Sequence, residues 1–131
     1  MTAERARDVL GRPLPTDADP SLIVAGVPSR LDITDDEAWR EAMAYLDRRM
    51  PFHAHETFEL RWRVAPETDR EAWRALAQWG AALTHEARGN AIGARRVAQR
   101  ALDGLSRSPH VPPVVDAAAV VASLKRLAGV A

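Results

Sequence analysis

Apolar residues recur every three or four positions through most of the chain after Thr34, and this helical period constrains the fold more than any other feature. Short breaks containing proline, glycine or asparagine divide the period into five segments. These segments run over about 34–50, 52–64, 68–87 and 91–105, with the last beginning near 116. Five helices joined by short connections predict an all-α fold, a single-domain helical bundle.

Residues 1–33 differ from the rest of the chain because they contain four of its nine prolines and show little helical period. This composition predicts an extended N-terminal arm over 1–33, followed by the helical bundle over 34–131. Leu22, Ile23 and Val24 are consecutive apolar residues within the arm. We expect them to lie across the helices as a hydrophobic strap.

Side chains suited to helix caps mark several of the predicted helix starts. Thr34 and Glu37 have the Thr-x-x-Glu spacing of a capping box, and Asn90 precedes the fourth helix as an N-cap. Thr68 and Asp69 are the predicted caps of the third helix.

Charge and residue types argue against several classes of protein. The 131 residues include 18 Lys plus Arg and 18 Asp plus Glu, so the formal net charge is zero. Proteins that coat nucleic acid or anionic membranes need a surplus of positive charge, so neither partner is expected. The chain has no cysteine, which excludes disulfides, thiol nucleophiles and cysteine-ligated metal sites. No apolar run approaches the roughly twenty residues that cross a bilayer, and we expect a cytoplasmic protein.

Two histidines and two glutamates occur among aromatic residues in the stretch PFHAHETFELRWR, residues 51–63. At spacings of three, four and three, one helical stripe carries Phe52, His55, Glu59 and Trp62. His55 and Glu59 therefore lie one turn apart on the face expected to be buried. Thr57 is expected more to the outside, and His53 is expected to project elsewhere.

The short link between helices 2 and 3 predicts an antiparallel pair, which brings the residues near Ala77 opposite His55. Gln78 is the polar residue there, and His85 lies two turns further along on the same side. We therefore expect a cluster of His55, Glu59 and Gln78 between the two helices, with His85 at its edge. Buried polar groups of this kind are tolerated when they are hydrogen-bonded.

Three interpretations of this cluster are open. In the first, the cluster is structural: Glu59 accepts a proton from His55, and Gln78 ties the pair to helix 3. In the second, His55 and Glu59 are catalytic, because a carboxylate beside an imidazole shifts both titrations toward neutrality. In the third, His55 and Glu59 share a metal ion with His85. Against the third, the His-Glu-x-x-His pattern of zinc proteases lacks its second histidine here.

The predicted ligand-binding residues are His55, Glu56, Glu59, Gln78, His85 and Asn90. We expect no cofactor and no metal, and the sequence leaves open whether the protein is an enzyme and which ligand it takes. The preferred interpretation is a structural or binding module, dimeric through Trp79 or the C-terminal apolar helix. The alternative is a small enzyme that uses His55 and Glu59.

These residues also resemble a known family. The segments PFHAHETFELRW and REAWRALAQWGAALTHEARGN, followed by GA, are similar to the small bacterial and archaeal proteins called domain of unknown function three hundred and nine. The resemblance extends over roughly residues 8–105, and its matching positions are Phe52, His55, Glu56, Glu59, Trp62, Trp73, Gln78, Gly89, Asn90, Gly93 and Ala94. Ala75 and Trp79 depart from the pattern, in which glycine and leucine are usual. The resemblance implies an all-helical fold and supplies no activity.

Overall fold

The computed structural model describes residues 5–130 and places five α-helices, and no β-strand, within that range. The helices are α1 Asp35–Asp47, α2 Pro51–Val64, α3 Glu67–Ala87, α4 Ala91–Arg107 and α5 Ala117–Ala128. In residues 5–34 the one helical element is a short 3-10 turn, Pro20–Leu22. The prediction of an all-α bundle is confirmed.

Hydrogen-bonded caps begin three of the helices. The Thr34 hydroxyl accepts from the Glu37 backbone N–H at 3.2 Å, and the Glu37 carboxylate accepts from the Thr34 N–H at 3.0 Å. The predicted capping box is therefore present. Asn90 caps α4 as predicted, and Asp116 caps α5 in the same way.

The start of α3 differs from the prediction. The helix begins at Glu67, directly after Pro66, and neither Thr68 nor Asp69 caps it. Asp69 is instead buried within the first turn and accepts a hydrogen bond from His110 at 2.8 Å. The Asp69 side chain, which the local sequence predicts as a helix cap, therefore bonds to a residue far along the chain instead.

α3 is the central helix, because it packs against α2, α4 and α5. Trp79 on α3 is 7% exposed, and its indole N–H donates to the Ser123 hydroxyl of α5 at 2.9 Å. Trp79 and the apolar face of α5 are therefore part of this chain's own core and do not offer the dimer surface expected of them. The homodimer itself stays a prediction.

The buried face of α2 is shifted from the predicted stripe. Ala54, Thr57 and Phe58 are fully buried, because α1 covers this side and brings Trp39 to 6.3 Å from the Phe58 ring. The expectation that Thr57 lies outside is wrong, and its hydroxyl donates to the His53 carbonyl at 2.9 Å. The predicted stripe is only partly buried at all four positions, Phe52, His55, Glu59 and Trp62.

The arm crosses α2 and the end of α3, and side chains of the helices donate to its backbone carbonyls. His53 donates to the Ala25 carbonyl at 2.7 Å, and Arg88 donates to the Leu10 carbonyl through two N–H groups. These bonds fix the arm without a continuous apolar face.

The predicted hydrophobic strap is wrong for two of its three residues. Leu22 is 52% exposed and Ile23 is 48% exposed. The arm instead packs through Gly11, whose φ of +74° is a left-handed conformation. A Cβ at Gly11 would lie 2.3 Å from the Phe52 ring, so the backbone of the arm rests directly on that aromatic side chain.

Candidate functional site

His55 and Glu59 form the pair predicted from their spacing on α2. His55 Nε2 lies 3.2 Å from Glu59 Oε1, and His55 Nδ1 lies 2.7 Å from the Ala77 carbonyl oxygen of α3. A backbone carbonyl and an ionised carboxylate can only accept hydrogen bonds. Both contacts are therefore satisfied when each ring nitrogen carries a proton, which is the imidazolium form of His55.

The pKa values of the pair shift in opposite directions. Burial alone would lower the pKa of His55, but the hydrogen bonds to Glu59 and the Ala77 carbonyl, with the charges of Glu59 and Glu56, raise it. The hydrogen bond from His55 holds the pKa of Glu59 below its ordinary value, with a further contribution from the charge of Arg63. Both shifts favour the charged pair.

Gly80 allows α3 to approach His55 this closely. A Cβ at Gly80 would lie 2.7 Å from His55 Cα and 2.9 Å from the His55 backbone nitrogen. The backbones of α2 and α3 therefore touch here, with the start of α2 beside the later part of α3. The predicted antiparallel arrangement, with His55 opposite Ala77, is confirmed.

A pocket of about 460 Å³ lies between α2 and two segments of the arm, residues 5–8 and 24–26. We call it the arm pocket. Its lining residues on α2 are Phe52, His53, His55, Glu56, Glu59 and Arg63, and the arm supplies Arg5, Ala6, Arg7, Asp8, Val24 and Gly26. Nine of these side chains are charged, imidazole or aromatic, and only Ala6, Val24 and Gly26 are small or aliphatic. Such a wall is unsuited to a purely hydrophobic ligand.

Two buried acceptor atoms belong to residues of this pocket wall. His53 is 2% exposed, and because Nε2 donates to the Ala25 carbonyl, Nδ1 of the neutral ring is an acceptor. Neither His53 Nδ1 nor Glu56 Oε1 has a hydrogen-bond partner within residues 5–130. His53 and Glu56 are three residues apart on α2 and are therefore neighbours on the helix surface.

A smaller pocket of about 140 Å³ adjoins the arm pocket, since Phe52 and His55 line both. His85 and Arg88 of α3 lie on its other wall. His85 Nδ1 accepts from the Asn90 amide at 3.1 Å, while the Asn90 carbonyl oxygen caps α4. This arrangement leaves the proton of a neutral His85 ring on Nε2.

The segment that carries this site matches a family. Residues 39–97 match the family described as Domain of unknown function (DUF309). The match makes this segment similar to the DUF309 family. The matched range contains the whole of α2 and α3 and the start of α4. No curated protein and no solved structure matches the chain.

The structure does not bring all the predicted site residues into one pocket. His55, Glu56 and Glu59 line the arm pocket, and His85 lines the smaller one. Gln78 instead lines a groove between α3 and α4, so the expected cluster of His55, Glu59 and Gln78 does not form. α3 presents Ala77 and Gly80 to His55, and Gln78 turns toward α4, where Gly104 lies.

Two glycines of the DUF309 segment have structural reasons to be glycine. Gly89 has a φ of +79° at the end of α3. A Cβ at Gly93 would lie 2.5 Å from the Asn90 side chain and 2.9 Å from His85 Nδ1. Gly93 therefore makes room for the hydrogen bond between Asn90 and His85.

The sequence interpretation missed His53 and the arm residues of the site. His53 lies only two positions from His55, but its partner is a carbonyl of the arm, and carbonyls leave no signal in a sequence. Within residues 5–130, no three His, Asp or Glu side chains are grouped so that they could hold a metal ion. None of the helices in that range has both the length and the apolar character that crossing a membrane requires.

Proposed function

We propose that this protein is a small binding module and that its ligand occupies the arm pocket. The observation that carries the proposal is the pair of buried acceptors, Glu56 Oε1 and His53 Nδ1, without a partner in residues 5–130. A buried polar atom left without a partner costs about 1–3 kcal/mol. A ligand that donates hydrogen bonds would remove this cost when it binds.

The neighbouring pair supports binding more than base catalysis. A general base needs a free lone pair, yet both nitrogens of His55 face acceptors. Glu59 is likewise engaged by His55 and by Arg63, at 3.2 and 3.4 Å. The pair is suited to hold two opposite charges at fixed positions on the pocket wall, where they would orient a polar ligand.

The substitution Glu56→Gln tests this proposal without knowledge of the ligand. It keeps the shape of the side chain and removes a carboxylate that has a buried oxygen without a hydrogen-bond donor among residues 5–130. We expect the free energy of unfolding of the ligand-free protein to rise by about 1–2 kcal/mol, because residues retained for binding often lower stability. Chemical denaturation at neutral pH measures the change.

Glu71→Gln is the matched control, since Glu71 is a partly exposed glutamate of α3 outside the arm pocket, 3.5 Å from Arg107. We expect this change to alter stability by less than about 1 kcal/mol. A fall in stability for Glu56→Gln beyond that of the control would mean that Glu56 holds the fold together, and the binding proposal would then fail.

General acid catalysis is a second candidate. It is favoured by the position of His55 between the two pockets and by the raised pKa of His55, which extends to higher pH the range in which the ring carries a proton that it can donate. Its test is to follow a bound compound over time by NMR with the wild type and with His55→Gln. Conversion that the substitution abolishes would support an enzyme, and binding without conversion would exclude this candidate for that compound.

A further inference from the structure

We propose that the ligand of the arm pocket is a small zwitterion whose protonated amine and carboxylate are separated by about one helical turn. The amine would bind Glu56 and His53, and the carboxylate would bind Arg5 and Arg7. This inference rests on the proposed binding function. It follows from which charges of the pocket wall are already paired within the chain.

The acidic side chains of the wall leave one carboxylate for a ligand. Asp8 is paired with Arg12 at 2.7 Å and caps two backbone N–H groups of its own turn. Glu59 is paired with His55. Glu56 forms no ion pair with a residue in the range 5–130, and one of its oxygens is buried without a donor. A protonated amine offers up to three donors, which suits the two neighbouring acceptors Glu56 and His53.

Two basic side chains of the wall call for a negatively charged group on the ligand. Arg5 donates two N–H groups to the Leu14 carbonyl, and Arg7 donates one to the Gly11 carbonyl. Neither is ion-paired with a carboxylate within residues 5–130, so both guanidinium charges lack an anion there. The Arg7 guanidinium also lies over the Phe52 ring, 5.6 Å from its centroid, and this contact fixes its position in the pocket.

The positions of these groups set the length of the ligand. Phe52, beneath Arg7, is four residues before Glu56 on α2, and one turn of an α-helix rises about 5.4 Å. An amine and a carboxylate joined through several carbon atoms can span such a distance, whereas the two charges of an α-amino acid are closer together. The pocket volume of about 460 Å³ accommodates a compound of that size.

Calorimetric titration with four probes tests the inference: γ-aminobutyrate, its isomer α-aminobutyrate, butylamine and butyrate. We expect γ-aminobutyrate to bind at least about tenfold more tightly than each of the other three, because only it can engage both ends of the pocket at this spacing. Equal affinity for butylamine or for butyrate would overturn the inference in favour of a ligand with one charge. If α-aminobutyrate bound more tightly than γ-aminobutyrate, the inferred separation between the amine and the carboxylate would be wrong.

Substitutions assign the two ends. Glu56→Gln should weaken γ-aminobutyrate and butylamine and leave butyrate unchanged, and Arg7→Gln should weaken γ-aminobutyrate and butyrate only. Unchanged butylamine binding by Arg7→Gln shows that the pocket is intact, and Glu71→Gln is the control that should alter none of the affinities. The inference fails if both pocket variants weaken all probes alike.

The two proposals can fail separately. If none of the four probes binds while Glu56→Gln raises the stability of the ligand-free protein, the zwitterion is wrong and the binding module stands. If Glu56→Gln lowers that stability beyond the control, the binding module itself is wrong.

Discussion

Protonation of His55 links the stability of the protein to pH. Because the folded-state pKa of His55 is raised above 6.5, its contribution is fully present below that value and is lost as pH rises through the folded pKa. Because the folded-state pKa of Glu59 is lowered below 4.5, its contribution is present above that value and is lost as pH falls through the folded pKa. The pair stabilises the fold most between the two ordinary values.

The substitution Glu59→Gln should therefore reduce stability most at mildly acidic pH. The side chains of the pair are 22% and 31% exposed, so we expect a loss of about 0.5–1 kcal/mol in the free energy of unfolding. The loss should shrink as pH rises through the folded pKa of His55, and that pKa should fall in the variant. Denaturant unfolding across pH and NMR titration of the imidazole measure these effects.

Glu86→Gln is the control for that pH dependence. Glu86 pairs with Arg126 at 2.7 Å, and arginine keeps its charge over the whole range. Its loss should stay constant from mildly acidic to alkaline pH. If Glu59→Gln behaves in the same way, His55 is not the group that titrates.

At the same scale, the sequence predicts partners on one helix and misses partners across the fold. The pair of His55 and Glu59 follows from a spacing of four residues. The helical stripe through His55 and Glu59 places Thr57 to the outside and directs His53 elsewhere, yet Thr57 is 0% exposed and His53 is 2% exposed. His53 Nε2 and the Thr57 hydroxyl each donate to a backbone carbonyl. Because every residue has a carbonyl, the sequence gives no indication of which one is the partner.

The contact between α2 and α3 depends on a missing side chain. Alanine normally stabilises a helix interior by about 1 kcal/mol relative to glycine. For Gly80→Ala we expect the opposite, a loss of about 1–3 kcal/mol in the free energy of unfolding. The new Cβ would lie 2.7 Å from His55 Cα, and a backbone atom cannot relieve the clash by a change of rotamer. Denaturant unfolding measures the loss.

Gly104→Ala is the matched control for an alanine in a helix interior. Its Cβ would meet the Ala75 side chain at 3.3 Å, which a small shift relieves. We expect a change between zero and a gain of about 1 kcal/mol. If Gly80→Ala, like Gly104→Ala, caused no loss of stability, α2 and α3 would separate easily to admit the new Cβ. His55 would then not be held in a fixed position against Ala77.

Helix existence and most helix ends were predictable because local rules decide them. The capping box at Thr34 and the cap at Asn90 are interactions within four residues. The start of α3 was not predictable in this way, because Asp69 bonds to His110, forty-one residues later. Local spacing carries no information about such a partner.

At the scale of the whole molecule, the arm lies over one face of α2 and encloses the arm pocket between them. Its attachments join residues far apart in the chain, such as Arg88 with Leu10 and Arg61 with Ile33. The sequence predicts the arm from its prolines but cannot predict its path, since the acceptors are backbone carbonyls. The arm lies before residue 39, outside the DUF309 match, whereas the face it covers lies inside that match.

Removing residues 1–29 tests whether the arm is a wall of the site or part of the folding unit. We expect the variant to keep its helical circular dichroism and to unfold cooperatively, because Ile33 and the capping box at Thr34 remain. Stability should fall by about 1.5–3 kcal/mol, the value of burying one large apolar side chain such as Phe52, and γ-aminobutyrate binding should be lost. Arg88→Gln, which breaks one attachment of the arm, should weaken binding less than the deletion does. If the deletion instead abolishes cooperative unfolding, residues 34–131 are not an independent domain, and the arm belongs to the same folding unit as the helices.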